Sequence, residues 1–326
     1  MKSLNEDIKS GQFKKVYLLY GDEAYLKRQY KERLTKAMVQ EGDTMNYSYY
    51  EGKNIPVPEV IDLAETMPFF ADRRLIVIED SGFFKSASAE MAAYIKTMPD
   101  TVCFLFIESE IDKRGKLYKA VKEKGRIVEM GRQNERTLLV WILGMIKADG
   151  KRIQESTARY FISKIGPDME NLSQELEKLL CYVMGEQDIT MEDVDSICTS
   201  NTENKIFEMI DAVAAKKQKT ALGYYYDLLA LKEPPMRILY MLARQFKILF
   251  EVKDLVKRGY SKKQIQEEKG LHPFVVSKCM DQCRAFSTKD LRRILEEAAE
   301  LETSVKTGLL NDVMSVELFI VKNSMA

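Results

Sequence analysis

The chain has 326 residues, and its 50 Lys plus Arg balance 50 Asp plus Glu, so the formal net charge is zero. This length predicts two or three domains, and 45% hydrophobic with 31% charged residues excludes a disordered or fibrous chain. Zero net charge argues against coating nucleic acid by bulk electrostatics, and a single histidine, His272, removes most triads, Cys–His dyads and His-rich metal sites.

In chain order, Val16–Tyr20 (VYLLY) predicts a buried strand, followed by a charged helix from about Glu23 to Gln40. Tyr47–Tyr50 offers a second strand, and Pro58 opens a helix whose Val60, Leu63 and Met67 fall at helical spacing. Leu75–Ile78, Val102–Ile107 and Ile127–Val128 supply further strands, with helices predicted between them at Ala87–Met98 and Lys116–Lys124. Continuous apolar strands alternating with helices predict a parallel sheet covered on both faces. After about Asn134 the strand signals stop. Helices are predicted at Glu135–Ala148, Ser156–Ile165, Asp168–Met184 and Thr190–Ile197, and longer ones begin near Glu203. Thr190 with Asp193 makes a capping box, and Gly166 and Gly185 stand where helix ends are expected. Glu233-Pro234-Pro235 starts a long amphipathic helix reaching about Arg258. The fold class is therefore α/β plus all-α: an α/β domain, a small helical domain, and a larger helical domain beginning near residue 205.

Cys103, Cys181, Cys198, Cys279 and Cys283 form no CxxC pair and fit small buried hydrophobes in a reducing compartment. The polar start, MKSLNEDIKSGQFKK, lacks the apolar stretch of a signal peptide, and no apolar run reaches ~18 residues. A cytoplasmic protein with no membrane partner is expected.

The turn after the first strand is where α/β nucleotide-binding domains hold phosphate. Here Gly21 and Lys27 lack the second glycine and the Ser/Thr of GxxxxGK[ST], and Asp22 and Glu23 place negative charge where phosphates would lie. A helix start is the better reading, and no nucleotide or other cofactor is expected. Glu79-Asp80, after Leu75–Ile78, has the pattern of a magnesium-binding strand in reversed order, and a structural strand end is the stronger reading. Cys279 and Cys283 are half a zinc site without the other half, so buried thiols are expected. His272 precedes Pro273, which predicts an extended residue with a local capping or packing role.

Met67-Pro68-Phe69-Phe70-Ala71 lies in a connection, and Pro68 ends the preceding helix abruptly. Two adjacent phenylalanines are unusual where short connections are polar. Exposed, each ring would gain roughly 1.5–3 kcal/mol on burial against a partner. Composition alone favours the opposite, with both rings folded into the core. Residues 211–263 carry 12 basic and 5 acidic side chains, including Lys216, Lys217, Lys219, Arg237, Arg244 and Lys247. Such a face suits DNA phosphates or an acidic neighbouring subunit, but charge pattern alone favours a solvated helix face.

The order and combination of several segments resemble the delta subunit family of the bacterial DNA polymerase III clamp loader, along essentially the whole chain. The segments are Val16–Glu23, Pro68-Phe69-Phe70 before Arg74–Ile78, Ile206–Val213, Pro235–Phe246 and Gly270–Val276. The resemblance implies a degenerate AAA+ domain (residues 1–140) with a RecA-like parallel sheet, a helical lid (141–205) and a helical collar (206–326) that joins other subunits. It implies no ATPase activity in this chain, which would serve within the polymerase holoenzyme. The family's hydrophobic wedge, which grips the ring-shaped sliding clamp, falls on Met67, Pro68, Phe69 and Phe70. Many relatives have leucine then phenylalanine, and the double phenylalanine keeps the apolar character. Implied partners are the sliding clamp (beta), the ATPase subunits (gamma/tau), delta-prime, and primed DNA within the assembled complex. The Ser-Arg-Cys motif and four-cysteine module of the sister subunits do not occur here. The expected function is a non-catalytic subunit that binds and helps open the clamp. The alternatives are an active AAA+ ATPase with an atypical phosphate loop and a helical DNA-binding scaffold.

Overall fold

In the computed structural model, which describes residues 1–86, 88–198 and 202–325, the apolar runs of the first third fold as parallel strands. These are β1 (Val16–Tyr20), β2 (Tyr47–Glu51), β3 (Arg74–Glu79), β4 (Val102–Glu108) and β5 (Arg126–Glu129), in the order β2-β3-β4-β1-β5. Every residue of β1 and β4 is buried, as unbroken apolar sequence in the middle of a doubly covered sheet requires. The polar, tyrosine-rich β2 (YSYYE) lies at one edge and β5 at the other, both only partly covered.

Helices α1 (Lys2–Ser10), α2 (Ala24–Met38), α3 (Val57–Glu65), α4 (Ala89–Thr97) and α5 (Lys116–Lys124) complete this unit, Met1–Arg132. Ala87, the expected first residue of α4, lies outside the described residues. Side chains alternate across each strand. Val16, Leu18, Ile76, Ile78, Phe104 and Phe106 meet Val60 of α3, Met91 and Ile95 of α4, and Leu117 and Val121 of α5 in one core. The sequence reading contained no α1. Its Leu4 and Asp7 are buried, and Asp7 accepts hydrogen bonds from the Tyr17 hydroxyl (2.9 Å) and from Arg126 Nε and Nη2 (2.7 and 2.9 Å). A buried carboxylate is tolerated because these charge-assisted bonds replace its water.

The second unit, Gln133–Ala326, is helical. It begins with α6 (Glu135–Ala148), α7 (Glu155–Ile165), α8 (Met169–Tyr182) and α9 (Met191–Ile197). The expectation that strands stop after residue 134 needs a correction. β6 (Arg152–Ile153) and β7 (Asp188–Ile189) pair in parallel, and two-residue strands are too short to leave a periodicity. Thr190 and Asp193 form the expected capping box, and Gly166 ends α7.

α10 (Thr202–Ala214), α11 (Gln218–Ala230), α12 (Pro235–Lys257), α13 (Lys262–Lys269), α14 (Pro273–Gln282), α15 (Thr288–Lys306) and α16 (Asp312–Ser324) follow. Their core is organised on α12, whose Leu242, Phe246 and Leu249 are buried. Phe246 meets Phe286 and Phe319 edge-on. His272 caps α14, its Nδ1 accepting from the Phe274 N–H at 3.1 Å, which is the local role its place before proline suggested.

Candidate functional site

α3 ends at Glu65 and Thr66 is already extended, so Pro68 stops the helix where sterics require. Residues 67–72 then pass to β3. Their side chains do not return to the core: Met67 is 75% exposed, Phe69 56% and Phe70 96%. The composition-based expectation of buried rings is thus corrected. The rings touch edge-to-face with centroids 4.6 Å apart, and Phe70 adopts φ +50°, a left-handed conformation that costs a non-glycine residue ~1–2 kcal/mol. Two adjacent aromatic rings left exposed on a strained backbone form an apolar patch that packing within the chain does not explain.

Polar groups hold this hook, and the sequence reading missed them. Asn46, 1% exposed and immediately before β2, donates from Nδ2 to the Phe69 carbonyl (2.8 Å) and accepts the Phe69 N–H on Oδ1 (2.7 Å). Asp43 accepts from Asn46 Nδ2 (2.7 Å) and from the Asn46 and Met45 N–H groups (2.9 and 3.0 Å). Those bonds, the Asn46 amide first, hold its carboxyl below the usual range. Arg74, 7% exposed, donates to the carbonyls of Met45 (2.8 Å) and Met67 (3.4 Å). Met45 is itself exposed. The only sequence signal was an Asx-turn composition, Asp-Thr-Met-Asn, ahead of an edge strand.

The turn after β1 has no phosphate cradle. Gly21 N–H donates to Glu108 O (3.2 Å) and Glu23 N–H to Met130 O (2.9 Å), so amides that a phosphate would need are already bonded. Gly21 has φ +126°, and a Cβ there would lie 2.6 Å from Met130 O. Lys27 is 8% exposed and its ammonium is tied to Ser109 Oγ (3.2 Å) and Glu108 O (3.4 Å). At the end of β3, Glu79 accepts from Lys31 (2.6 Å) and Tyr49 (2.9 Å), and Asp80 accepts from Ser109 (3.1 Å). Among the described residues no group of three or more His, Cys, Asp or Glu is placed to hold a metal.

Cys103, Cys198, Cys279 and Cys283 are buried, and burial pushes the Cys279 thiol up to about 11, away from thiolate chemistry. Cys181 is exposed, contrary to the expectation for all five. The basic residues fall in two places. Arg237, Arg244 and Lys247 share one solvent-facing side of α12 at i, i+7 and i+10, with Tyr240 between them. Arg237 pairs with Glu233 at 3.1 Å. Lys216, Lys217 and Lys219 cluster where α10 turns into α11, at the opposite end of α11 from the start of α12. Lys216 takes φ +58° and donates to Asn323 O at 3.5 Å. No helix among the described residues is long and apolar enough to cross a membrane.

The strand order and the helices that follow it define the class: a parallel-sheet α/β unit followed by a predominantly helical unit. A family model described as DNA polymerase III, delta subunit matches residues 17–131, and one for the C-terminal domain of that subunit matches residues 203–323. The DNA polymerase III subunit delta of Bacillus subtilis is 30% identical over 97% of this chain and 95% of its own length. A probable DNA polymerase III subunit delta of Aquifex aeolicus is 24% identical over 95% and 93%. The solved structure of a Bacillus subtilis DNA clamp loader delta protein, 28% identical, superposes with a TM-score of 0.79 over 99% of both chains. The chain belongs to the family of DNA polymerase III delta subunits of the clamp loader.

Proposed function

We propose that this chain is the clamp-loader subunit that grips the sliding clamp through Phe69 and Phe70, flanked by Met67 and Pro68, and helps hold the ring open for loading onto primed DNA. The observation that carries the reading is the exposure of two adjacent phenylalanines on a strained turn, in a family whose members serve the clamp loader. The rings would enter an apolar pocket on one clamp protomer. Their binding favours the open ring only by its greater affinity for that state. The test is capture of the clamp by the parent chain and by a Phe69→Ala/Phe70→Ala variant: equal capture by a folded variant would end the assignment.

The chain itself is read as non-catalytic, with ATP hydrolysis left to the gamma/tau partners and with delta-prime completing a cytoplasmic complex. Bonded amides at Gly21 and Glu23 support this. Magnesium and ATP at millimolar concentration are expected to leave the melting temperature of the isolated chain unchanged. A rise with ligand concentration, as linkage demands of any native-state ligand, would favour the ATPase alternative. Within the helical unit we read residues 141–205 as a lid and 206–326 as the collar that joins the other subunits.

The α12 face supports a secondary contact with DNA phosphates in the assembled complex. Replacing Arg237, Arg244 and Lys247 by glutamine should lower the slope of log affinity against log salt by up to ~2.7, at ~0.9 per phosphate contact. An unchanged slope would return this face to a solvated role. The lysines at 216, 217 and 219 are read as contacts of a separate surface, with a neighbouring subunit or with DNA.

A further inference from the structure

Met67 and Phe70 face solvent, Phe69 does so in part and Pro68 is half-buried, while polar groups bind the backbone of residues 67 and 69. Pro68 has no N–H to offer. On its N-terminal side the Met67 carbonyl is bound by Arg74, and on its C-terminal side both backbone groups of Phe69 are bound by Asn46. The Asn46 amide thus pairs with Phe69 as one strand residue pairs with another.

Asn46 is itself fixed from three directions. Its carbonyl accepts the Leu75 N–H at 2.8 Å, extending the ladder between β2 and β3 by one residue. Asp43 takes its backbone N–H and its side-chain amide. Arg74 binds the carbonyl of the preceding residue, Met45, and the Arg74 N–H in turn donates to Thr101 O at 2.8 Å. The sheet edge is thereby connected through buried polar groups to the exposed rings.

We propose that Asn46, supported by Arg74, is the positioning residue of the clamp-docking hook: it holds Phe69 and Phe70 in the docking conformation before the partner arrives. This rests on the reading of the hook as the clamp-binding element. Without these bonds, residues 67–70 would sample many conformations, and binding would have to order them. The same surface would then be present but seldom in the competent state, and apparent affinity falls with that fraction.

The test measures clamp affinity, melting and amide exchange for the full chain and for Asn46→Ala, each also in a Phe70→Ala background where residual binding stays measurable. Asn46→Ala is expected to stay folded and to weaken clamp binding about 10-fold or more by loss of preorganisation. Its effect should shrink to less than about 2-fold when Phe70 is already absent, because coupled residues are non-additive. The Phe69 amide, protected in the parent despite its exposed loop, should exchange rapidly in the variant. An Asn46→Ala chain that binds like the parent, while Phe69→Ala/Phe70→Ala loses binding, overturns the positioning role and leaves the docking assignment standing. An equal loss in both backgrounds also overturns it, since Asn46 would then act elsewhere. Parent-like binding by the double phenylalanine variant removes both readings. Should Asn46→Ala not fold, Arg74→Met, which keeps the buried stem and frees the Met67 carbonyl, is read through the same cycle with the same outcomes.

Discussion

The Phe69→Ala/Phe70→Ala chain is expected to bind the sliding clamp at least about 100-fold more weakly than the parent while folding as well. Each ring that passes from water into an apolar pocket contributes roughly 1.5–3 kcal/mol, and central aromatic residues of interfaces commonly cost ~2 kcal/mol or more on truncation. Together that is ~3–6 kcal/mol, or about two to four decades of affinity. Phe70, almost wholly exposed, has more surface left to bury than Phe69, so the single Phe70→Ala variant should lose more binding than Phe69→Ala. Stability should move the other way or not at all. The rings touch each other and leave the core intact, and exposed substitutions usually stay within about 0.5 kcal/mol. Phe70→Gly should even raise the melting temperature slightly, since φ +50° is free of strain for glycine. Isothermal titration against purified clamp, beside thermal melts, checks both halves. A variant that loses binding only because it melts would refute the argument.

The largest loss of stability is expected from Gly125→Ala. Gly125 closes the turn from α5 into β5, and its N–H caps α5 on Val121 O at 2.9 Å. A Cβ built there lies 1.9 Å from the Val16 carbonyl oxygen and 2.7 Å from the Val16 carbonyl carbon. Those atoms belong to β1, which is bonded to β4 on one side and β5 on the other, so they have no space into which to retreat. β5 would have to separate from β1. We expect a loss of at least about 3 kcal/mol, at the upper end of overpacking effects, read as a lower urea midpoint. A loss under about 1 kcal/mol would mean that this edge of the sheet is far more compliant than its packing indicates.

The difference between these two sites explains which features were legible from residues alone. Val16–Tyr20 and Val102–Ile107 were read correctly because an unbroken apolar run leaves a buried strand as its main outlet. α12 was found because Pro234-Pro235 marks a start and apolar positions repeat at helical spacing through Leu255. α1 was not legible: Leu4 and Ile8 sit among seven polar residues, and what holds that helix is Asp7 meeting Arg126, more than a hundred residues away. β6 and β7 were likewise invisible, because a two-residue pair is defined by its partner and has no pattern of its own.

The order of residues determined where the chain must be buried, where its helices must stop, and that Gly21–Lys27 lacks the glycine and hydroxyl a phosphate loop needs. These are local consequences of side-chain polarity, proline geometry and missing atoms, and they hold in any context. Whether Phe69 and Phe70 face inward or outward was decided elsewhere, by Asn46 and Arg74 seizing the backbone on either side of Pro68. Hydrophobicity favours burial of a phenylalanine wherever it can reach the core. Here hydrogen bonds from Asn46, in a separate segment, and from Arg74 bind the backbone that carries two of them in water.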